Sequence, residues 1–254
     1  MKLTVLLLKT VIDSSVGIIK KRLTGPTLRE FSTYEYLFRN KRGLEIGGKS
    51  IIFTEKGVLP IYGVADCIDG LNFASNTLWE EQLRVGQPYV GSGKQFIGEA
   101  SLMEGFTEGN YDFIVSSHCL EHIANPLKAI SNWLRLLKEG GALLLVVPDR
   151  RYSFDHRRHV ASFGHLLEDF NNDIGEDDLT HLSDILSLHD LAMDLPAGSA
   201  ENFKNRCLDN FNIRGMHHHC FDEDLLREIY RYFRMKILFV KSDKPNNLII
   251  LGVL

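Results

Sequence analysis

The sequence predicts an α/β fold in which a mostly parallel sheet of seven strands ends in an antiparallel pair. Residues 42–49, RGLEIGGK, read as a buried strand that breaks into paired glycines. Residues 142–147 form a continuous apolar run, which is typical of a strand buried on both faces of a parallel sheet. Residues 236–240 and 248–253 are two strand-like runs joined by a polar turn, so they indicate an antiparallel pair.

Length and composition favour one soluble globular domain. The chain has 254 residues, 44% of them hydrophobic, and a formal net charge of −4. This balance provides no basic field for nucleic acid, and no apolar run approaches the roughly 18 residues of a membrane-spanning helix. Four cysteines without a CxxC pair argue against a zinc knuckle or a disulfide framework and favour a reducing cytoplasm.

The amino-terminal residues 1–40 form a helical segment in this interpretation. Apolar residues recur there at steps of three and four, namely Val5, Leu8, Ile12, Val16 and Ile19. That period indicates an amphipathic helix. We expect it to pack on the domain or on a second copy of the chain, as a homodimer contact, with a membrane surface as the alternative.

The remaining elements follow in order along the chain. We predict a short helix at 33–39, an irregular crossover at 49–60, and strands at 61–68, 94–97 and 111–116. Pro126 opens a helix with one apolar face, which Gly140 and Gly141 end. A final helix is predicted at 221–232.

The glycine turn and the second strand suggest a nucleotide-like ligand. Gly47 and Gly48 permit close backbone approach at the carboxyl end of the first strand, where open α/β sheets bind such ligands. Glu45 precedes them by two residues. Asp69, 21 residues after Gly48, is a candidate acceptor for ribose hydroxyls, with Asp66 as its neighbour. An ordinary glycine turn and a turn aspartate are the alternatives.

Residues 149–219 differ in character from the rest. They lose the strand rhythm and contain eight of the ten histidines, together with the acidic run Glu176-Asp177-Asp178. A segment this long after a strand is usually functional when it is ordered. We therefore expect it to form an insertion on the substrate side.

Four motifs together resemble a class I S-adenosylmethionine-dependent methyltransferase of the type 11-like kind. They are LEIGG, IDG, FIGEA and YDFIVSSHCLEHIANPLKAISNWLRLLKEGGALLLVVP. The resemblance covers residues 43–147 and 219–254. It implies a Rossmann-like domain over 41–254, with 149–219 as a lid, and S-adenosylmethionine as the cofactor.

The resemblance also implies roles for individual residues. Glu45, Gly47 and Gly48 would line the methionine part of the cofactor, and Asp69, or failing that Asp66, would bind the ribose. Glu99 and Ala100 would face the adenine, and Ser117 and His118 would lie beside the methyl group.

A competing motif lies inside the same stretch. HCLEH, with His118, Glu121 and His122, matches the H-x-x-E-H pattern of inverted zinc peptidases. Because His118 follows an apolar strand directly and the helix begins only at Pro126, we predict no metal site here. Glu121 and His122 more simply organise the loop under the cofactor.

The insertion supplies candidates for acceptor chemistry. An oxygen acceptor must lose a proton, which requires a general base; the candidates are His156, His181 and His118, with His156 first because it closely follows the fifth strand. Arg157, Arg158, His217 and His218 are assigned to acceptor binding. A divalent cation on Asp177, Asp178 and His181 is an alternative route to activation.

These features favour O-methylation of a sugar, a glycan or another small-molecule hydroxyl. A carboxyl- or N-methyltransferase and a non-catalytic cofactor-binding scaffold are the alternatives.

Overall fold

The computed structural model describes residues 27–78 and 82–254, so the amphipathic helix predicted at the amino terminus lies outside the described residues. Seven strands form one sheet in the order β3-β2-β1-β4-β5-β7-β6. They are β1 Arg42–Ile46, β2 Cys67–Asn72, β3 Gln95–Ile97, β4 Tyr111–Ser117, β5 Leu137–Pro148, β6 Lys236–Asp243 and β7 Asn247–Val253. Only the pairs of β7 with β5 and β6 are antiparallel, which confirms the predicted architecture.

The second strand is the main correction to the sequence prediction. Residues 61–68 were expected to form it, but Ile61–Gly63 is a turn of 3-10 helix and β2 begins only at Cys67. The polar residues of β2 are all buried, so its sequence lacks the apolar pattern that marks a core strand. Asp69 consequently pairs with Leu44 within the sheet, three residues before the strand ends at Asn72.

Seven helices accompany the sheet in the described part of the chain. They are α1 Arg29–Tyr34, α2 Pro126–Leu136, α3 Phe163–Asn171, α4 Leu182–Leu188, α5 Ala200–Leu208, α6 Asn210–Ile213 and α7 Glu223–Tyr232. Asn125 caps α2 by accepting the Lys128 N–H, and proline occupies its first turn. Asp222 caps α7 in the same way. None of these helices is long and apolar enough to cross a membrane.

The two faces of the sheet are covered differently. One face packs against α2, α3 and α7 through residues such as Leu127, Trp133 and Ile229. The other face is covered by α1 and the irregular segment after β1, which contribute Phe31 and Phe53. The predicted irregular crossover is thus present, and it contains a 3-10 turn at Ile51–Phe53.

Residues 149–219 contain α3 to α6. Part of this segment has a small core of its own, around Ile185, Phe203, Cys207 and Met216. It lies between β5 and α7 in sequence, so it is positioned next to the carboxyl ends of the central strands.

Candidate active site

The glycine turn after β1 touches the loop that follows β4. Gly47 has a φ of +78°, and its N–H donates to the Leu71 carbonyl at 2.9 Å. A side chain at Gly47 would lie 2.6 Å from Cβ and Sγ of Cys119. Glycine is therefore required here both by the backbone angle and by the close approach.

Glu45 supports this turn from inside. Its carboxylate accepts hydrogen bonds from the hydroxyls of Tyr62 at 2.5 Å and Tyr89 at 2.8 Å, and from the Ser50 N–H at 3.0 Å. Burial raises the pKa of Glu45, although these hydrogen bonds act to lower it. A side chain at Gly48 would collide with the Glu45 carboxylate, at 2.0 Å. Glu45 thus shapes the turn, and its oxygens are already engaged inside the protein.

Asp69 and Asp66 do not reach the ligand edge of the sheet. The Asp69 carboxylate accepts from Arg42 at 2.7 Å, from the Lys94 N–H at 2.8 Å and from the Tyr111 hydroxyl at 3.0 Å. Arg42 and Tyr111 begin their strands, so these contacts lie at the opposite end of the sheet. Asp66 is exposed just before β2. Neither Asp69 nor Asp66 is therefore positioned to bind a ribose at the ligand edge of the sheet.

Asn72 occupies the tip of β2 instead. It is buried, and its Nδ2 donates to the Gly48 carbonyl at 2.8 Å. An amide carries both donor and acceptor groups, so it suits a hydroxyl pair as well as a turn carbonyl.

The central cleft lies between the ends of β1 and β2 and the loop after β4. It is lined by Ile46, Gly47, Leu71, Asn72, Phe73, Glu99, Ala100, Cys119, His122, Ile123, Glu176 and Arg214. Glu99 accepts from Arg214 at 2.8 Å, and the Arg214 guanidinium lies 5.2 Å from the centre of the Phe73 ring. The structure therefore brings Glu99 and Ala100 to one cleft with Gly47.

The turn cleft lies on the other side of Gly47. It is lined by Gly47, Lys49, Ser50, Ile51, Ile52, Ser117, His118, His122 and Asn247. His118 has a φ of +50°, and its Nε2 contacts Asn247 Oδ1 at 2.8 Å. Ser117 ends β4 and His118 follows it, so both residues line the turn cleft.

The outer cleft is bounded by the insertion and the ends of β4 and β5. It is lined by Leu78, His118, Glu121, His122, Pro148, Tyr152, Ser153, Phe154, Met193, Asp194, Arg206, Gly215, His217 and Asn246. His122 lines all three clefts. The central and outer clefts therefore meet at the loop after β4.

An aspartate and a histidine form a pair on the wall of the outer cleft. Nδ1 of His217 lies 2.6 Å from Oδ2 of Asp155. Burial alone would lower the pKa of His217, but the Asp155 carboxylate outweighs it and the pKa lies above its ordinary value. Because Asp155 holds the proton on Nδ1, Nε2 is the nitrogen that can take up another.

Glu121 and His122 lie beside this pair. Both Glu121 carboxylate oxygens are buried without a hydrogen-bond partner among the described residues, and burial raises the pKa of this group. His122 Nδ1 lies 3.1 Å from the Met216 carbonyl, and burial lowers the pKa of His122 well below its ordinary value. One donor atom from each of Glu121, His122 and His217 lies within 4.8 Å of the others.

Two predicted site residues lie away from these clefts. His156 Nε2 contacts the Asp190 carboxylate at 2.9 Å, and Arg157 donates to the same carboxylate at 2.8 Å. Neither side chain lines the central, turn or outer cleft. The expectation that His156 faces the ligand from the end of β5 is therefore wrong, because the chain turns at Arg150–Tyr152 before reaching it.

Arg158 and His218 hold the insertion together. The Arg158 guanidinium is 3% exposed and donates to Asp155 at 3.1 Å and to the carbonyls of His217 and His218 at 2.8 and 3.0 Å. His218 Nε2 accepts from Asn210 at 3.0 Å. Both side chains are consumed internally, so neither is positioned to bind an acceptor.

His181 does not join the acidic run. Its Nε2 lies 3.1 Å from His165 Nε2, whereas Asp177 is exposed and Asp178 accepts from Thr180. The alternative cation site on Asp177, Asp178 and His181 is thus not assembled, since these side chains diverge.

Residues whose contacts lie far apart in the chain could not be paired from the sequence. Asp155 lies 62 residues from His217 and Arg214 lies 115 residues from Glu99, so no local pattern joins them. Asn72 had a readable signal, because the apolar Leu71 beyond Asp69 indicates that the strand continues.

The sheet order, the glycine turn and the cleft beside Glu99 define a class I S-adenosylmethionine-dependent methyltransferase. A family model described as a methyltransferase domain matches residues 19–229. The chain belongs to this family.

Solved structures have the same fold. An S-adenosylmethionine-dependent methyltransferase from Mesorhizobium loti is 12% identical, with 88% of this chain and 95% of that chain covered and a TM-score of 0.51. The 1,6-didemethyltoxoflavin N1-methyltransferase from Burkholderia thailandensis was solved with 1,6-didemethyltoxoflavin and S-adenosylhomocysteine. It is 12% identical, with 89% of this chain and 76% of that chain covered and a TM-score of 0.49. No curated protein matches the sequence.

The described residues fit the cofactor of this class. Gly47 leaves room where any side chain would collide with Cys119. The central cleft has apolar walls from Leu71, Phe73 and Ile123 and a carboxylate from Glu99, which suit a purine with an amino group. S-adenosylmethionine is therefore the cofactor.

Proposed function

We propose that the protein transfers a methyl group to a hydroxyl of a sugar or another small molecule in the outer cleft, with His217 as general base. The observation that carries this proposal is the Asp155–His217 pair, 2.6 Å apart, on the wall of that cleft. The outer cleft meets the central cleft at His122.

The geometry of the pair suits proton removal. Bound S-adenosylmethionine supplies an electrophilic methyl group on a positively charged sulfur. A hydroxyl is a weak nucleophile until its proton is taken, and a positioned base contributes about 10²- to 10⁴-fold to the rate. Asp155 fixes the orientation of the His217 ring, so that Nε2 is the proton acceptor.

The lining of the outer cleft favours a neutral, hydroxylated acceptor. Tyr152 and Phe154 offer aromatic faces, and Asn246 offers an amide. Among the described lining residues Arg206 is the one permanent cation, and it is already paired with Asp194 at 2.7 Å. A carboxylate acceptor would need an unpaired cation, so the carboxyl-methyltransferase alternative has weaker support.

The first experiment separates binding from catalysis. We expect calorimetric titration to detect S-adenosylmethionine binding, and a panel of sugars and phenols to include an acceptor that yields S-adenosylhomocysteine. Binding without turnover on any hydroxyl, amine or carboxylate acceptor would favour the scaffold alternative. Absence of binding would contradict the cofactor assignment itself.

Substitutions then test the base. His217→Ala and Asp155→Asn should lower kcat by about 10²- to 10⁴-fold while the Kd for S-adenosylmethionine stays unchanged. His156→Ala, whose side chain pairs with Asp190 outside the cleft, should keep near wild-type kcat. The reverse ranking of His156→Ala and His217→Ala would show that another histidine is the base.

A further inference from the structure

Three imidazoles and one carboxylate meet inside the insertion, away from the clefts of the active site. His165 and Asp169 lie four residues apart on one face of α3. His181 stands immediately before α4, and His219 precedes α7. One donor atom from each of these four side chains lies within 4.8 Å of the other three.

Three of the six separations among these atoms are close to those of a tetrahedral metal site. Nε2 of His165 lies 3.1 Å from Nε2 of His181 and 3.4 Å from Oδ2 of Asp169, and Nε2 of His219 lies 3.0 Å from the same oxygen. Ligands at about 2.0–2.1 Å from a zinc ion are about 3.3–3.4 Å apart in a regular tetrahedron. All three separations therefore approach the edges of such a site.

The carboxylate of Asp169 also favours a cation at this position. It is nearly buried, and in the described residues its ion-pair contacts are with His165 and His219. A divalent cation would supply the positive charge that compensates such a carboxylate, with the three imidazoles as neutral ligands.

We propose that His165, Asp169, His181 and His219 bind one zinc ion in a closed, four-coordinate site. Imidazole and carboxylate ligands in a tetrahedral arrangement suit zinc among the divalent metals. Because four protein ligands complete the coordination, no position is left for a substrate and the ion is structural. It ties α3 and the start of α4 to the segment that carries His217.

The anchoring has a defined path to the active site. The Asp169 carbonyl accepts from Asn125 at 2.9 Å, and Asn125 caps α2 directly after the loop of Glu121 and His122. His219 is two residues from His217. The zinc ion would therefore hold the wall of the outer cleft in place. This role does not depend on the identity of the methyl acceptor.

The test is metal content and metal binding of tag-free, full-length protein. Elemental analysis should find one zinc per chain, and His165→Ala and His181→Ala should reduce it at least tenfold. The His165 side chain is 33% exposed, so its substitution should permit folding. His159→Ala, an exposed histidine of the same insertion, should keep the full content.

Two further measurements make the result decisive. Cobalt(II) added to chelator-treated wild-type protein should give the visible absorption of a tetrahedral complex, and zinc should restore the Tm that the chelator lowers. Chelator-treated, folded protein that binds neither zinc nor cobalt would overturn the proposal. So would an ion that persists in His165→Ala and His181→Ala but disappears in Glu121→Gln, because that ion would belong to the outer cleft.

Discussion

We expect two polar residues of β2, Asp69 and Asn72, to have separate effects, one on the stability of the sheet and the other on cofactor binding. Asp69 is consumed by Arg42, Lys94 and Tyr111 at the far end of the strands, whereas Asn72 stands at the cofactor edge and holds the Gly48 carbonyl. Asp69→Asn should lower the free energy of unfolding by about 1–3 kcal/mol, since a buried charged hydrogen-bond acceptor is lost. Its Kd for S-adenosylmethionine should not change.

Asn72→Ala is the matched variant at the other end of the strand. It should raise that Kd about tenfold, because it removes a hydrogen-bonding group from the cleft and loosens the glycine turn. Calorimetry on both variants, with chemical denaturation, gives the comparison. If Asp69→Asn bound S-adenosylmethionine about tenfold more weakly and Asn72→Ala bound it with unchanged affinity, Asp69 would be the ribose acceptor after all.

Glu176 is a buried carboxyl group at the central cleft that titrates near neutral pH. Burial, and secondly the nearby Glu99 carboxylate, raise its pKa from 4.5 to about 7. The folded state therefore holds a proton that the unfolded state releases, so its contribution to stability falls as pH rises from 4.5 through 7. A shift of this size corresponds to on the order of 3 kcal/mol.

Glu176→Gln should remove this dependence while still accepting the Ala124 N–H that Glu176 Oε1 accepts. We expect the variant to gain stability over wild type at pH 8 but not at pH 5, in paired thermal denaturation curves. Equal differences at both pH values would mean that Glu176 ionises normally in the folded protein.

At the scale of elements, the turn after β1 depends on glycine for steric reasons. A Cβ at Gly48 would lie 2.0 Å from Glu45 Oε1 and 2.6 Å from the Tyr89 hydroxyl, so Gly48→Ala should abolish measurable cofactor binding and lower the Tm. Gly63→Ala is the control, because its Cβ would meet neighbours only at 3.5 Å and beyond. Unchanged cofactor affinity in Gly48→Ala would show that the turn adapts without cost to binding.

The elements also show where sequence patterns are informative. β1, β4, β5 and α2 were predicted because each is apolar in the period of its own structure, and the closing hairpin because its strands are neighbours in sequence. β2 was misplaced because its core positions include Asp69 and Asn72, which are stabilised by partners on other strands. A buried polar residue with distant partners gives no hydrophobic period, so its strand is read as a turn.

For the molecule as a whole, the sheet and its glycine turn follow from local pattern, whereas the clefts depend on how the insertion folds back. Histidine content indicated that residues 149–219 matter, yet not which histidine faces which cleft. His156 follows β5 most closely but pairs with Asp190, while His217, 69 residues after Pro148, faces the outer cleft. His156 and His217 can be distinguished only from the folded structure, in which the chain folds back and places His217 at the cleft.

The insertion and the sheet are joined across the central cleft by one ion pair. Arg214 donates to Glu99 at 2.8 Å and covers the Phe73 ring, and the two charged side chains are 12% and 24% exposed. We expect a ligand that enters this cleft beside Glu99 to separate Arg214 from Glu99. Charged hydrogen bonds of this kind contribute about 1.5–3 kcal/mol. Breaking one should slow both the entry and the exit of a ligand by about tenfold or more.

Arg214→Ala should therefore increase both the association and the dissociation rate of S-adenosylhomocysteine about tenfold, while the Kd changes less than either rate. Stopped-flow fluorescence measures the two rates directly. Arg135→Ala is the matched control, since Arg135 forms an exposed ion pair with Glu108 on the surface and should leave both rates unchanged. An Arg214→Ala variant with wild-type association and only faster dissociation would mean that Arg214 stabilises the bound ligand instead of closing the cleft.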